Sequence, residues 1–297
     1  METVSDSLRR SAEEIRLLLQ ELLTKHSSLR CLNSPGDSVY IIGPDWSWQP
    51  LGQEGSRLQS RLLEDYRRFS AIIRTLMCEQ PRGTLQELEN RDRILTAVIE
   101  QHQAVWWRTP REACNKAFRA LDDQLAGLDR LYDSSEGIPL FIPDTNALLF
   151  NPELESWRFP DAPRFALVLV PTVLAEIDQL KVIRTGDLRD KADSVVRRIK
   201  GYRGRGRLTE GVTLVRNVSD LVSLAIEPDM TKSLPWLDPN NQDDRLLAAM
   251  VEVMRAHPRS PVVLVTRDIN LQNKAEFARL PFVEPPARPE ESPVATT

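Results

Sequence analysis

Cysteine and histidine are both scarce: the chain of 297 residues has three of each. Cys31, Cys78 and Cys114 are far apart, odd in number and never arranged as a CxxC pair near histidines, so neither a disulfide framework nor a zinc site is expected. His26, His102 and His257 are equally scattered, which argues against histidine-based general acid/base chemistry. Any catalysis has to rest on carboxylates. Long hydrophobic runs are missing as well. None is longer than Phe165 to Val170, which has a strand's length and falls far short of the roughly 20 residues that span a bilayer, so no membrane segment is expected. Ser5, Arg9, Arg10, Glu13 and Glu14 interrupt the stretch where a secretory signal would be continuously apolar, and the expected location is the cytoplasm. Excess positive charge is absent too, the formal net charge being −4, although an average over the chain can hide a local basic patch.

What is present has the balance of a folded protein, 41% hydrophobic and 28% charged, and the 21 prolines against 12 glycines imply sharply punctuated connections. The length favours two domains. Residues 1–133 read as helical. Leu8 to Leu23 places Ile15, Leu18, Leu19 and Leu22 on one face. Asn33 to Asp37 is a turn cluster, and Val39 to Ile42 could be a short extended piece carrying Trp46 and Trp48. Three apolar seams follow: Leu62, Tyr66, Phe69, Ile73 and Leu76; Leu88, Leu95, Val98, His102 and Val105; Cys114, Phe118, Leu121, Leu125, Leu128 and Tyr132. Their alternating three- and four-residue spacing is that of a helical bundle or coiled-coil-like hairpin. Thr84 with Glu87, and Thr109 with Pro110 and Glu112, fit the starts of the last two helices as capping boxes. Such a domain would serve a protein partner or self-association.

After a linker at Asp133 to Gly137 the pattern becomes short apolar runs alternating with helical stretches, the signature of a parallel α/β sheet. Expected strands are Pro139 to Pro143, Phe165 to Val170, Val212 to Val215, Val262 to Thr266 and a short one near Phe282. Expected helices follow Pro171, run from Leu188 to Tyr202, cover Asp220 to Ala225 and span Asp243 to Ala256. This gives a domain at 137–284 and a disordered tail at 285–297, rich in Pro, Glu and Ser.

Acidic residues fall where an open parallel sheet builds its site, at the carboxyl ends of strands. Asp144 ends the first strand and Asp268 follows the fourth. In a sheet of order 3-2-1-4-5 those strands are neighbours at the switch point, so both carboxylates enter one crevice. Glu176 lies just over a turn into the helix after Pro171, and the loop Leu237 to Gln242 delivers Asp243 and Asp244. Carboxylates crowded together raise one another's pKa unless a cation neutralises them. All-oxygen ligands suit Mg²⁺ or Mn²⁺, which can acidify a water and offset charge on phosphorus without a histidine.

Pro143-Asp144-Thr145-Asn146, Val173-Leu174-Ala175-Glu176-Ile177-Asp178, Asn241-Gln242-Asp243-Asp244-Arg245-Leu246-Leu247 and Val265-Thr266-Arg267-Asp268 resemble, in order, the four acidic motifs of the PIN family. The resemblance spans about half the chain. It implies a three-layer α/β/α fold and a Mg²⁺ or Mn²⁺ nuclease, most often acting on RNA. Asp144, Glu176, Asp243 and Asp268 would be the catalytic and metal-binding set, with Asp244 a further candidate ligand and Asn146 and Thr266 supporting polar groups. A phosphatase of the haloacid-dehalogenase type also starts with an Asp after strand one, but needs a second Asp where this chain has Asn146.

The segment Arg197-Arg198-Ile199-Lys200-Gly201-Tyr202-Arg203-Gly204-Arg205-Gly206-Arg207 concentrates positive charge. Its cations suit phosphates, its glycines suggest a mobile loop, and Tyr202 could stack on a base. The expected activity is an endoribonuclease on single-stranded RNA. Two alternatives stay open: an RNA- or protein-binding module that cleaves little, and a structure-specific DNA nuclease, since neither motif nor patch senses the 2′-hydroxyl.

Overall fold

The computed structural model describes residues 3–31, 46–101, 107–132, 137–183, 186–225 and 227–287. The turn at Asn33 to Asp37, the piece at Val39 to Ile42, the seam positions His102 and Val105 and most of the linker lie outside them. The chain divides into two compact units, Leu8–Arg130 and Leu131–Thr297, with Met1–Ser7 belonging to the second. Among the described residues no helix is long and apolar enough to cross a membrane.

The first unit is helical. α1 (Val4–Glu21) continues into a π-helical turn at Leu22–His26, and α2 (Gln53–Met77), α3 (Arg82–Glu100) and α4 (Pro110–Asp129) complete it. A two-stranded antiparallel ribbon pairs β1 (Leu29–Cys31), which was not expected, with β2 (Trp46–Trp48), on the tryptophans expected to belong to an extended piece. The seam residues Leu62, Tyr66, Phe69, Ile73, Leu76, Leu88, Leu95, Val98, Leu121 and Leu128 are buried. Thr109 caps α4 as expected, accepting from the Glu112 amide, while the Glu112 carboxylate reaches the Arg108 amide. The expected start of α3 at Thr84 is corrected: Pro81 precedes the first turn, whose fixed φ suits a helix entry and leaves Thr84 inside it.

The second unit is a six-stranded sheet with helices. Its strands are β3 (Leu140–Pro143), β4 (Phe165–Leu169), β5 (Val212–Val215), β6 (Ser219–Ser223), β7 (Val262–Val265) and β8 (Phe282–Val283), in the order β5-β6-β4-β3-β7-β8. All neighbours are parallel except β5 and β6. The helices are α5 (Thr145–Phe150), α6 (Pro171–Ile183), α7 (Asp187–Arg203), α8 (Gln242–Ala256) and α9 (Ile269–Phe277). Every residue of β3, β4 and β7 is buried, as strands covered on both faces require, and this explains why they read as unbroken apolar runs.

Two expectations change. The five expected strands keep their relative order, but a sixth, β6, lies between β5 and β4 and occupies the segment expected as a helix at Asp220 to Ala225. Asn217, at φ 60°, turns the chain directly back from β5, with the Val218 amide donating to Val215 at 3.0 Å, and leaves no room for a helical turn. At the C-terminus, Pro285 is buried and the Asn151 amide donates to the Pro286 carbonyl at 3.2 Å, so the first residues of the expected tail are packed. Residues 288–297 lie outside the description.

Candidate functional site

β3 and β7 run side by side, pairing Pro143 with Val265, so the residues that follow them are neighbours at the sheet's carboxyl edge. Asp144 follows β3 and caps α5: one carboxylate oxygen accepts from the Ala147 amide at 2.6 Å and the other from the Thr266 hydroxyl at 2.5 Å. Asp268 follows β7 and caps α9, one of its oxygens taking the amides of Asn270 and Leu271. The Asp268 amide in turn donates to the Thr266 hydroxyl at 3.0 Å, so Thr266 ties the two strand ends together. Capping and facing the cleft are therefore compatible roles, because each carboxylate has more acceptor positions than its cap uses.

Glu176 projects from the second turn of α6 and accepts from the Thr145 hydroxyl at 2.6 Å. Asn241 caps α8 by accepting from the Asp244 amide, and this frees Asp243 from a capping role. Asp243 accepts from the Asn270 side chain at 3.2 Å and lies 3.3 Å from the Lys274 ammonium. Asp144, Asn146, Glu176, Asp243 and Asp268 line one small cleft with Thr145, Thr172 and Gln242, enclosing about 30 Å³.

Asp244 does not line that cleft. It is buried, accepts from the Asp238 amide at 2.9 Å and pairs with Lys274 at 2.8 Å, facing a separate hollow beside Trp236 and Phe277. The adjacent pair is thus divided by helical geometry, since successive residues on a helix point about 100° apart.

Burial dominates the electrostatics of Asp144, which is 5% exposed. Its pKa is pushed from 3.8 to about 6 by that burial, against the lowering effect of the Thr266 and Ala147 hydrogen bonds and with a further push from Asp268 and Glu176. Burial is thus the main reason that Asp144 holds its proton, and Asp268 and Glu176 add to it. Among the described residues no three acidic, histidine or cysteine side chains approach closely enough to enclose an ion alone.

The basic segment follows the helix expected to Tyr202 and differs from the loop its glycines suggested. α7 continues through Gly201 to Arg203, so most of it is helical rather than a mobile loop. Tyr202 is 2% exposed and donates its hydroxyl to Glu155 at 2.5 Å, which removes it from any stacking role. Arg198 pairs with Glu153 at 3.0 Å, Arg205 lies over the Tyr202 ring and 3.8 Å from Glu155, and Arg207 pairs with Glu210 at 2.9 Å. Arg197, Lys200 and Arg203 make no ion pair among the described residues.

Sequence reasoning does not single out Thr145, Asn270 or Lys274 as site residues, although all three hold members of the acidic set. Thr145 carried a usable signal as the residue after Asp144. Lys274 carried none, because its place depends on how α9 packs against the start of α8.

Comparison with known families finds that residues 141–284 match the PIN domain. Comparison with curated proteins finds no match.

Proposed function

With residues 141–284 belonging to the PIN domain family, a nuclease-type family, we propose that this chain is a Mg²⁺- or Mn²⁺-dependent nuclease that cleaves within single-stranded RNA. The observation that carries the reading is the convergence of Asp144, Glu176, Asp243 and Asp268, from four separate segments, on one cleft at the carboxyl edge of the sheet. A divalent ion held by these carboxylates would supply positive charge against the phosphoryl oxygens and lower the pKa of a water.

The chain's own groups do the positioning. Thr266 and the Ala147 amide fix both oxygens of Asp144, Thr145 fixes one oxygen of Glu176, and the first turn of α9 fixes one oxygen of Asp268. These three carboxylates are thereby oriented before any ligand arrives, which spares the reorganisation that a freely rotating acid would require. Asn146 lines the same cleft and can hydrogen-bond a phosphate or a water. Arg197, Arg205 and Arg207 are exposed cations for the phosphate backbone, and the surface ion pairs of Arg205 and Arg207 are weak enough to exchange. This activity fits a cytoplasmic protein.

The test is a Mn²⁺-supplemented cleavage assay on matched RNA and DNA oligonucleotides with the wild type and Asp144→Asn. RNA cleavage that disappears with Asp144→Asn or with chelator is the expected result. Equal cleavage by a folded Asp144→Asn protein would remove the site, and preferential DNA cleavage would replace the substrate. A binding module with little catalysis is the second reading, favoured by the Lys274 ammonium lying against Asp243. It expects RNA binding without metal-dependent cleavage.

A further inference from the structure

A second cleft, about 470 Å³ in volume, lies between α6, α7 and the end of β6. It is separate from the acidic cleft: Leu174, Ile177 and Asp178 of α6 line it, whereas Thr172, Val173 and Glu176 line the acidic one. At about 100° per residue those two sets lie on different faces of one helix. The volume falls within the range of roughly 300–1,000 Å³ typical of small-molecule sites. Its walls are aliphatic, and Leu174, Val196, Ile199, Leu208 and Leu224 remain only partly buried, so apolar surface there is still open to a ligand.

Three cations, one acid and the hydroxyl residues Thr209 and Ser223 make up its polar part. Lys200 and Arg203 stand on the α7 face that carries Val196 and Ile199, the spacing of three and four residues placing all four together. Neither cation has an ion-pair partner among the described residues, and Arg207 adds a third positive charge, shared with the exposed Glu210. Asp178 is the single acidic residue in the lining. An acyl chain would leave that carboxylate facing hydrocarbon, whereas the hydroxyls of a ribose or the amino group of a base would donate to it.

From this combination we propose that the cleft binds a nucleoside monophosphate. The base lies among the aliphatic side chains, the phosphate on Lys200, Arg203 and Arg207, and the ribose or base donors on Asp178. This site needs no metal and does not depend on the nuclease reading.

Calorimetric titration of the full chain in the presence of a chelator tests it, with the four ribonucleoside 5′-monophosphates, adenosine, inorganic phosphate and dodecanoate as probes. Saturable one-site binding of at least one monophosphate is expected, at least tenfold tighter than adenosine or phosphate. The Lys200→Ala/Arg203→Ala double variant should weaken it at least tenfold. Ile199→Trp, which fills the cleft, should abolish it provided the thermal melt is retained; if that variant does not fold, the double surface variant decides. Asp144→Asn should bind like the wild type. Absence of saturable binding, equal affinity for inorganic phosphate, preference for dodecanoate, or loss of binding in Asp144→Asn would each overturn the assignment.

Discussion

Asp144 sets function against stability within one side chain. Its folded-state pKa of about 6 exceeds the ordinary 3.8, so in the absence of metal the folded protein holds the proton more tightly than the unfolded chain does. The resulting stabilisation is complete below about pH 3.8 and is lost as pH rises through about 6. At neutral pH the difference amounts to at most about 3 kcal/mol, because each pKa unit corresponds to about 1.36 kcal/mol. Asp144→Asn removes the ionisation and keeps an acceptor for the Ala147 amide. The Thr266 hydroxyl loses its acceptor, a cost that does not vary with pH, so the chelated variant should lack the Asp144 share of the pH dependence between 4 and 6 and compare more favourably with wild type at pH 7 than at pH 4. A variant melting temperature that keeps the wild-type pH profile would contradict this electrostatic account.

The neighbouring pair Asp243 and Asp244 separates the same two roles between two residues. The sequence favours Asp243 as the ligand only through its spacing to Leu246 and Leu247. The structure places Asp243 at the acidic cleft and Asp244 on the Asp238 amide and Lys274. Asp243→Asn should reduce metal-dependent cleavage at least a hundredfold with little change in melting temperature. Asp244→Ala should instead cost about 1–3 kcal/mol in urea denaturation, since it leaves the part-buried Asp238 amide without its acceptor and Lys274 without the shorter of its two carboxylate contacts, while cleavage per folded molecule persists. The reverse pattern would exchange the two assignments.

Among the elements, legibility follows how local the determining physics is. β3, β4 and β7 are continuous apolar runs bounded by proline or acid, and the helical seams keep their spacing over many turns, so both could be read without tertiary information. The acidic motifs were legible because they stand at strand ends and helix starts, where sequence and topology coincide. β6 was not, because Ser219 to Ser223 alternates too briefly to exclude a helix, and only Asn217 marked the reversal. α5 and α9 were not among the expected helices, being short and starting directly at the acids that follow β3 and β7. A close backbone approach was also invisible. The Gly137 amide donates to the Arg259 carbonyl at 2.9 Å, and a Cβ at position 137 would lie 2.3 Å from that oxygen. Gly137→Ala should force apart the segments that lead into β3 and β7 and destabilise by about 1–3 kcal/mol, measured by chemical denaturation. An unchanged denaturation midpoint would show that the backbone yields there without cost.

On the scale of the whole molecule, two compact units with separate apolar cores need not unfold together. The helical unit has its own buried network: Tyr66 and Ser70 donate to the Asp92 carboxylate at 2.7 and 2.6 Å, and Arg74 pairs with it. The acidic set lies wholly in the other unit, contributed by segments on β3, α6, α8 and α9. A ligand stabilises only the cooperative unit that binds it, by RT ln(1 + [L]/Kd), or about 2.7 kcal/mol at a concentration a hundredfold above Kd. Scanning calorimetry should therefore resolve two transitions, and added Mn²⁺ should raise one while leaving the other in place. Asp144→Asn should reduce the metal-induced shift, and Asp92→Ala should lower only the transition that Mn²⁺ does not move, because its carboxylate gathers three donors in the helical unit. A single transition displaced as a whole by Mn²⁺ would mean that the two units unfold as one, and a Mn²⁺ shift unaffected by Asp144→Asn would place the metal outside the acidic cleft.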